Sequence, residues 1–392
     1  MPQLSILIPT ADRQDYAVSS VAAVAIACPD AEIVVSDTSA EEGLEARLMV
    51  GPGARQLRYL RPGAGIDVVS NFNRAAEAST GRWLMFIGDD DGVGPGIRSV
   101  VDWAERRQVD AVVSYGPRFH AIYYWPGVTS RYFGDGYAAR LIVNRCSGKA
   151  RMLDARAAML AALRDLGSGL GWMPRAYHGL VSRDVVDRIV EKHGALFGGV
   201  SPDIYSATMI SEMARKPAVV EWPFVLPGAS PKSTAGLGAA QTDRSSLWNN
   251  PHIAPFRNLT WDPLIPEFYS PTVVWAYSFK KAVDATGDPS LVPNLARLYA
   301  RSLLHNRAYA GATLNAMEVW GEKIGWLPAR AQVLGELMGE GLRFTGKAMR
   351  RLARPTAQGA ALQVVPGLPN VEQAYRALEN ICRDIGSLSL DD

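Results

Sequence analysis

Short apolar runs alternate with stretches of helical period through the first 115 residues of the chain. Runs rich in Val, Ile and Leu at residues 4–9, 32–37, 57–60, 83–87 and 110–114 predict strands buried on both faces. Helical patterns at 15–27, 41–50, 68–79 and 96–108 fill the gaps between them. This β–α alternation requires a parallel, doubly wound sheet. Ligands in that architecture bind beyond the carboxyl ends of the strands, where Thr10, Asp12, Asp37 and the triplet Asp89, Asp90 and Asp91 all fall.

After Ser114 the pattern changes. An aromatic, hairpin-like stretch at 119–133 precedes a helix expected over 151–166, a strand at 176–181 and a helix at 184–193. Ser201, Pro202 and Asp203 form a plain helix start, and a last strand is expected at 218–226. Residues 227–258 are rich in Gly, Ser, Pro, Ala and Asn and read as a mobile loop or linker. From residue 271 onward the helical period dominates, interrupted by Pro289, Pro328 and the stretch 355–369. The expected division is therefore a domain over 1–226, with halves at 1–115 and 116–226, a loop over 227–260 and a helical region over 261–392.

The chain has 41 basic and 39 acidic residues among 392, so its charge gives no electrostatic case for nucleic acid. Cys28, Cys146 and Cys382 are odd in number and scattered, which argues against a disulfide framework and for a reducing, cytoplasmic setting. Residues 1–9 lack a basic n-region and read as a first strand, not a signal peptide. No apolar run reaches the ~18 residues that suggest a spanning helix. Residues 341–354 carry five basic side chains among apolar ones. That pattern suits a helix packed with a basic outer face or one lying peripherally on an anionic membrane.

The main chemical signal is the apolar run at 83–87 ending in three carboxylates. Acids gathered at one buried sheet edge call for a counter-cation. Hard oxygen donors favour Mg²⁺ or Mn²⁺, and Mg²⁺ commonly takes one or two carboxylates together with substrate phosphates. A phosphorylated ligand is the corresponding expectation.

In order and spacing, residues 5–10 (Ser-Ile-Leu-Ile-Pro-Thr), 33–37 (Ile-Val-Val-Ser-Asp), 71–75 (Asn-Phe-Asn-Arg-Ala) and the strand into Asp89, Asp90 and Asp91 resemble the nucleotide-sugar-binding half of family 2 glycosyltransferases. The resemblance covers about residues 4–226. It implies a GT-A-like doubly wound mixed sheet of the nucleotide-diphospho-sugar transferase type, followed by the helical C-terminal region. It also implies an inverting, metal-dependent transfer of a sugar from a nucleoside-diphosphate donor to a hydroxyl of a glycan or glycolipid.

By the same resemblance Pro9, Thr10, Asp12 and Asp37 hold the nucleobase, and Arg13, Asn71 and Arg74 belong to the donor site. Asp12 and Asp37 also read as helix caps, and Ala11 stands where the family often has an aromatic residue or Asn. The family's DxD motif maps onto Asp89 and Asp91 by spacing and onto Asp90 by distance from the strand, so all three are candidate metal ligands. Asp203 is the candidate general base, with Glu191 and Glu212 behind it. Trp172, His178 and Lys232 are acceptor-side candidates, and Lys232 and Arg244 could serve a lid over the diphosphate. A sugar-phosphate nucleotidyltransferase would bring a glycine-rich loop after the first strand, and residues 9–13 have no glycine. A non-catalytic glycan-binding protein would lack metal or base candidates, and both are present.

Overall fold

The computed structural model describes residues 2–240, 244–353, 361–386 and 388–390. Its first part alternates as the pattern requires: β1 (Leu4–Thr10), α1 (Gln14–Ala27), β2 (Glu32–Asp37), α2 (Leu44–Met49), β3 (Leu57–Leu60), α3 (Val68–Ala78), β4 (Trp83–Phe86), the short β5 (Gly92–Val93), α4 (Ile97–Arg107) and β6 (Ala111–Val113). Next come β7 (Ala121–Tyr124), β8 (Arg140–Val143), β9 (Ala150–Met152), α5 (Ala155–Arg164), β10 (Gly179–Ser182), α6 (Arg183–His193), α7 (Pro202–Met213), β11 (Pro217–Val220), β12 (Val225–Leu226), β13 (Gly228–Ala229) and α8 (Thr234–Ala240). The remainder holds α9 (Pro271–Thr286), α10 (Leu295–His305), α11 (Ala310–Ile324), α12 (Trp326–Ala353), β14 (Gln363–Pro366) and α13 (Val371–Ile385).

Eight strands form the central sheet in the order β3-β2-β1-β4-β10-β6-β11-β9. Strands β1 to β4 pair in parallel, as continuous apolar runs linked by helices should. The sheet is mixed because β10 inserts antiparallel between β4 and β6, and β9 runs antiparallel to β11. A smaller sheet, ordered β13-β7-β8-β14, stands beside it, and β5 pairs with β12.

Two expectations need correction. The helix expected from residue 151 begins at Ala155, because Arg151 and Met152 pair with β11 and Asp154 caps the helix through the Ala157 N–H. Residues 227–260 are not a plain linker, since β13 pairs with β7, α8 follows, and Ser245 bridges to Tyr269. The C-terminal region is mainly helical, as expected, and two of its elements return to the first part of the fold. β14 pairs with β8, and α13 lays Val371, Ala374, Tyr375, Leu378, Ile381 and Cys382 into the core shared with β1 and α1. The amphipathic period of α13 demands a partner face, and α1, apolar from Val21 to Ala27, supplies it.

A second core joins Met159, Leu163, Leu166, Val200, Ile204 and Ala207 to α9 and α10 through Val273, Tyr277, Leu298 and Tyr299. Residue 226 therefore divides no core. The basic stretch at 341–354 falls in α12 apart from Arg354, which lies outside the described residues. Arg343 donates to Asp165 at 3.0 Å, while Leu334, Met338, Leu342 and Met349 are exposed. Among the described residues no helix is long and apolar enough to cross a membrane.

Candidate active site

The β1–β4 register builds the site. Leu7 pairs with Phe86, so three residues further along each strand Thr10 and Asp89 lie side by side, and Thr10 Oγ1 donates to Asp89 Oδ2 at 2.6 Å. On the other side of β1, Thr10 pairs with Asp37. Val35 pairs with Tyr59, and the same register continued brings Arg61 opposite Asp37. Asp37 accepts from Ser39 N at 2.8 Å, Tyr59 Oη at 2.7 Å and Arg61 Nη1 at 3.2 Å. Both of its oxygens are thus engaged within the protein.

Asp91 is the most heavily bonded acid of the triplet. Its Oδ2 accepts from Gly88 N at 2.6 Å and Tyr177 Oη at 3.0 Å and lies 2.6 Å from His178 Nε2. Its Oδ1 accepts from Gly228 N at 2.6 Å. His178 sits at a φ of 61°, a costly conformation for a non-glycine residue, and its Nδ1 lies 2.7 Å from Tyr115 Oη. Gly88 has no room for a side chain, because a Cβ there would stand 2.9 Å from Asp91 Oδ2 and 3.1 Å from Asp90 Oδ1.

Asp89 and Asp90 are buried with fewer partners. Arg13 Nε donates to Asp89 Oδ2 at 3.1 Å, and its Nη2 forms an ion pair with Asp89 Oδ1. Asp90 Oδ2 accepts from Ser230 N at 3.0 Å, and Trp125 Nε1 holds the Asp90 carbonyl at 2.8 Å. The nearest cation to Asp90 Oδ1 is Arg13, at 3.9 Å. Burial pushes the Asp89 carboxyl up to about 7, with Arg13 opposing and Asp90 adding to the rise. Burial, with Asp91 adjacent, also raises Asp90. Burial works the same way on Asp91, but His178 and the two backbone N–H groups outweigh it and hold that carboxyl below its ordinary value.

Asp203 lies in the first turn of α7, partly exposed, and accepts from Ser201 Oγ at 2.7 Å. The preceding loop is fixed by Ser278 of α9, whose Oγ accepts from Val200 N and Ser201 N. The Asp203 charge acts on Arg175, Tyr115 and His252, which sets it on the same side as the Tyr115–His178–Asp91 chain. Arg175 is buried, stacks over Tyr115 at 4.7 Å and donates to the Tyr115 carbonyl. Trp172 packs against Gly116 with Arg151 over its ring at 4.7 Å.

Other candidates stand apart. Asn71 is buried and staples α3 to β2, exchanging hydrogen bonds with Ser36 at 2.6 and 3.1 Å, so it has a structural task already. Arg74 is exposed. Asp12, in the left-handed region with a φ of 54°, accepts from Ala40 N and ties the loop after β1 to the loop after β2. Pro9 is buried in β1 beyond its last pair with β4. Glu212 is held by Lys192 and His193, and Glu191 is exposed. Lys232 and Arg244 are exposed, Lys232 two residues from Ser230. Sequence reasoning missed Arg61, Tyr115, Arg175, Tyr177, Gly228 and Ser230. For Arg61 there was a signal, a cation directly after a strand beside Asp37; the rest arrive by non-local pairing.

Among the described residues no group of three His, Cys, Asp or Glu side chains is arranged to hold a metal ion alone. The donor set still fits an ion that takes one or two carboxylates and completes its shell with phosphate and water. Asp90 Oδ1 and the Asp89 carboxylate, both raised by burial, offer hard oxygens. Asp91 does not fit, since its lone pairs are spent on internal donors.

A mixed sheet whose parallel strands deliver acids to their carboxyl edge, with an antiparallel strand inserted beside them, is GT-A-like. Residues 5–153 match the model of glycosyl transferase family 2. Among solved structures, TarS 1-349 of S. aureus in complex with UDP-GlcNAc is 13% identical, with a TM-score of 0.43 over 82% of this chain and 92% of that one. The mannosyltransferase PcManGT of Pyrobaculum calidifontis in complex with GDP-Man and Mn²⁺ is 14% identical, with a TM-score of 0.37 over 97% and 86%. The chain spans 55% of the longer TarS structure. Identities this low say nothing of a shared substrate. No curated protein matches the chain.

The bonding around the triplet separates its members by stability. Asp91→Asn should cost about 3–5 kcal/mol, because it breaks a buried network and strands donors. Asp90→Asn should leave stability unchanged or raised, since it removes a buried charge. Urea unfolding of both variants checks this, and equal losses would refute the structural role given to Asp91.

Proposed function

We propose that this glycosyltransferase is an inverting, metal-dependent enzyme that moves a sugar from a nucleoside-diphosphate donor to a hydroxyl of a glycan or glycolipid in polysaccharide or glycoconjugate assembly. The observation that carries the reading is the buried triplet at the β1–β4 edge, which has more negative charge than Arg13 alone offsets. Asp90, with Asp89, would hold Mn²⁺ or Mg²⁺. Bound there, the ion supplies Lewis-acid stabilisation to the leaving diphosphate.

The chain's own residues divide the remaining work. The Asp37–Arg61–Tyr59 cluster shapes the nucleobase end, where Arg61, as a donor, suits the carbonyl oxygens of a base. Lys232, beside the strap that bonds Asp90 and Asp91, would meet the diphosphate or the acceptor. Asp203 takes the acceptor proton as the hydroxyl oxygen attacks the anomeric carbon. His178, committed to Asp91 and Tyr115, positions the triplet, and Trp172 lines the acceptor side. The donor half is residues 1–115 buttressed by α13, and the acceptor half is 116–226. A cytoplasmic setting is in keeping with the free thiols of Cys28, Cys146 and Cys382.

Peripheral contact with a membrane through α12 belongs to the same reading. Its support is the exposed Leu334, Met338, Leu342 and Met349 on a helix that also carries Arg330, Arg343, Lys347, Arg350 and Arg351. Sedimentation with anionic vesicles should weaken as salt shortens screening below about 8 Å. Absence of sedimentation in low salt would leave α12 only its packing role.

Calorimetric titration with uridine, guanosine and thymidine diphosphates should show binding of at least one that depends on Mn²⁺. Equal affinity with and without chelator would exclude the metal. Asp203→Asn should keep donor binding and lower turnover about 10²–10⁴-fold. Near-normal transfer by that variant would remove Asp203 from the mechanism.

A further inference from the structure

We infer that Arg13 is the resident counter-cation of Asp89 and Asp90, holding the pair closed to a divalent ion until a donor diphosphate draws the guanidinium away. The inference rests on the nucleotide-sugar reading of this site and adds an order of binding to it.

Arg13 directly precedes α1, and its guanidinium reaches the turn after β4. There it contacts both oxygens of Asp89 and stands 3.9 Å from Asp90 Oδ1. Thr10 already donates to Asp89 Oδ2, and Ser230 N to Asp90 Oδ2. The oxygens left for an added cation, Asp89 Oδ1 and Asp90 Oδ1, are therefore the two that face Arg13. A divalent ion and a guanidinium at the same oxygens repel each other, and the low-dielectric setting of two fully buried carboxylates strengthens that repulsion.

The arrangement is reversible by construction. Asp89 and Asp90 are rigidly placed, at the end of a central strand and under Ser230. The Arg13 side chain keeps 23% exposure and makes its hydrogen bond to Asp89 through a long, rotatable stem. A diphosphate offers that guanidinium an alternative pair of anionic oxygens with the bidentate geometry it favours. Once Arg13 moves to the phosphates, the carboxylates lose their counter-charge and become available. Nucleotide and metal binding are then positively coupled through one side chain, and by linkage each ligand strengthens the other equally. The same device keeps the metal from occupying the site without donor.

The test is Mn²⁺ alone titrated into the wild-type full chain, Arg13→Gln and Arg13→Lys, followed by Mn²⁺ in the presence of uridine or guanosine diphosphate, with thermal unfolding to verify that each variant is folded. Arg13→Gln should bind Mn²⁺ alone roughly tenfold more tightly than wild type, and the gain on adding nucleotide should shrink, within the usual range of coupling between sites. Arg13→Lys keeps the charge and should retain weak binding of Mn²⁺ alone. If Arg13→Gln binds free Mn²⁺ no better than wild type, or Arg13→Lys binds it as tightly as Arg13→Gln, the counter-cation role is overturned while the donor reading stands. If wild type binds neither nucleotide with Mn²⁺, the donor reading fails, and the inference with it.

Discussion

Everything at the carboxyl edge of the sheet depends on satisfying one buried carboxylate. Asp91 bonds the turn after β4 through Gly88, the entry to β10 through Tyr177 and His178, and the strap after β12 through Gly228. Those segments come from three distant parts of the chain. A carboxylate with a full set of donors keeps its charge at little cost, whereas one without them would force the segments apart or take up a proton. Its neighbours can be under-satisfied only because Asp91 holds the frame.

The triplet thus divides by hydrogen bonding into one saturated acid and two with fewer partners. Asp89 and Asp90 have raised proton affinity because they are buried beside other acids. Groups perturbed in that way mark a candidate site for a cation. The second half of the molecule supports them indirectly. Tyr115 bonds His178, Arg175 stacks on Tyr115, and Ser278 of α9 secures the loop that carries Asp203. The helical region therefore secures the loop before α7, and α13 belongs to the core under β1.

Much of the first 115 residues was legible from local pattern, and for a clear reason. Parallel strands buried on both faces must be continuous apolar runs, and their helices must be periodic, so 4–9, 32–37 and 57–60 fall close to β1, β2 and β3. Acids placed just after such runs necessarily reach one sheet edge. What local pattern could not express was pairing between remote segments: β10 entering between β4 and β6, or β14 and α13 returning to the first core.

The division between Asp90 and Asp91 follows the same line. By itself the sequence determined that three carboxylates end a central strand, that Thr10 and Asp37 end its neighbours, and that Asp203 opens a helix. Spacing alone assigned Asp91 to a metal as readily as Asp90. Only the tertiary structure tells their hydrogen bonding apart, because the donors that saturate Asp91 come from β10 and from the strap after β12, and those that occupy Asp37 include Tyr59 and Arg61. Which lone pairs remain free is set by neighbours in space, and no period along the chain encodes them.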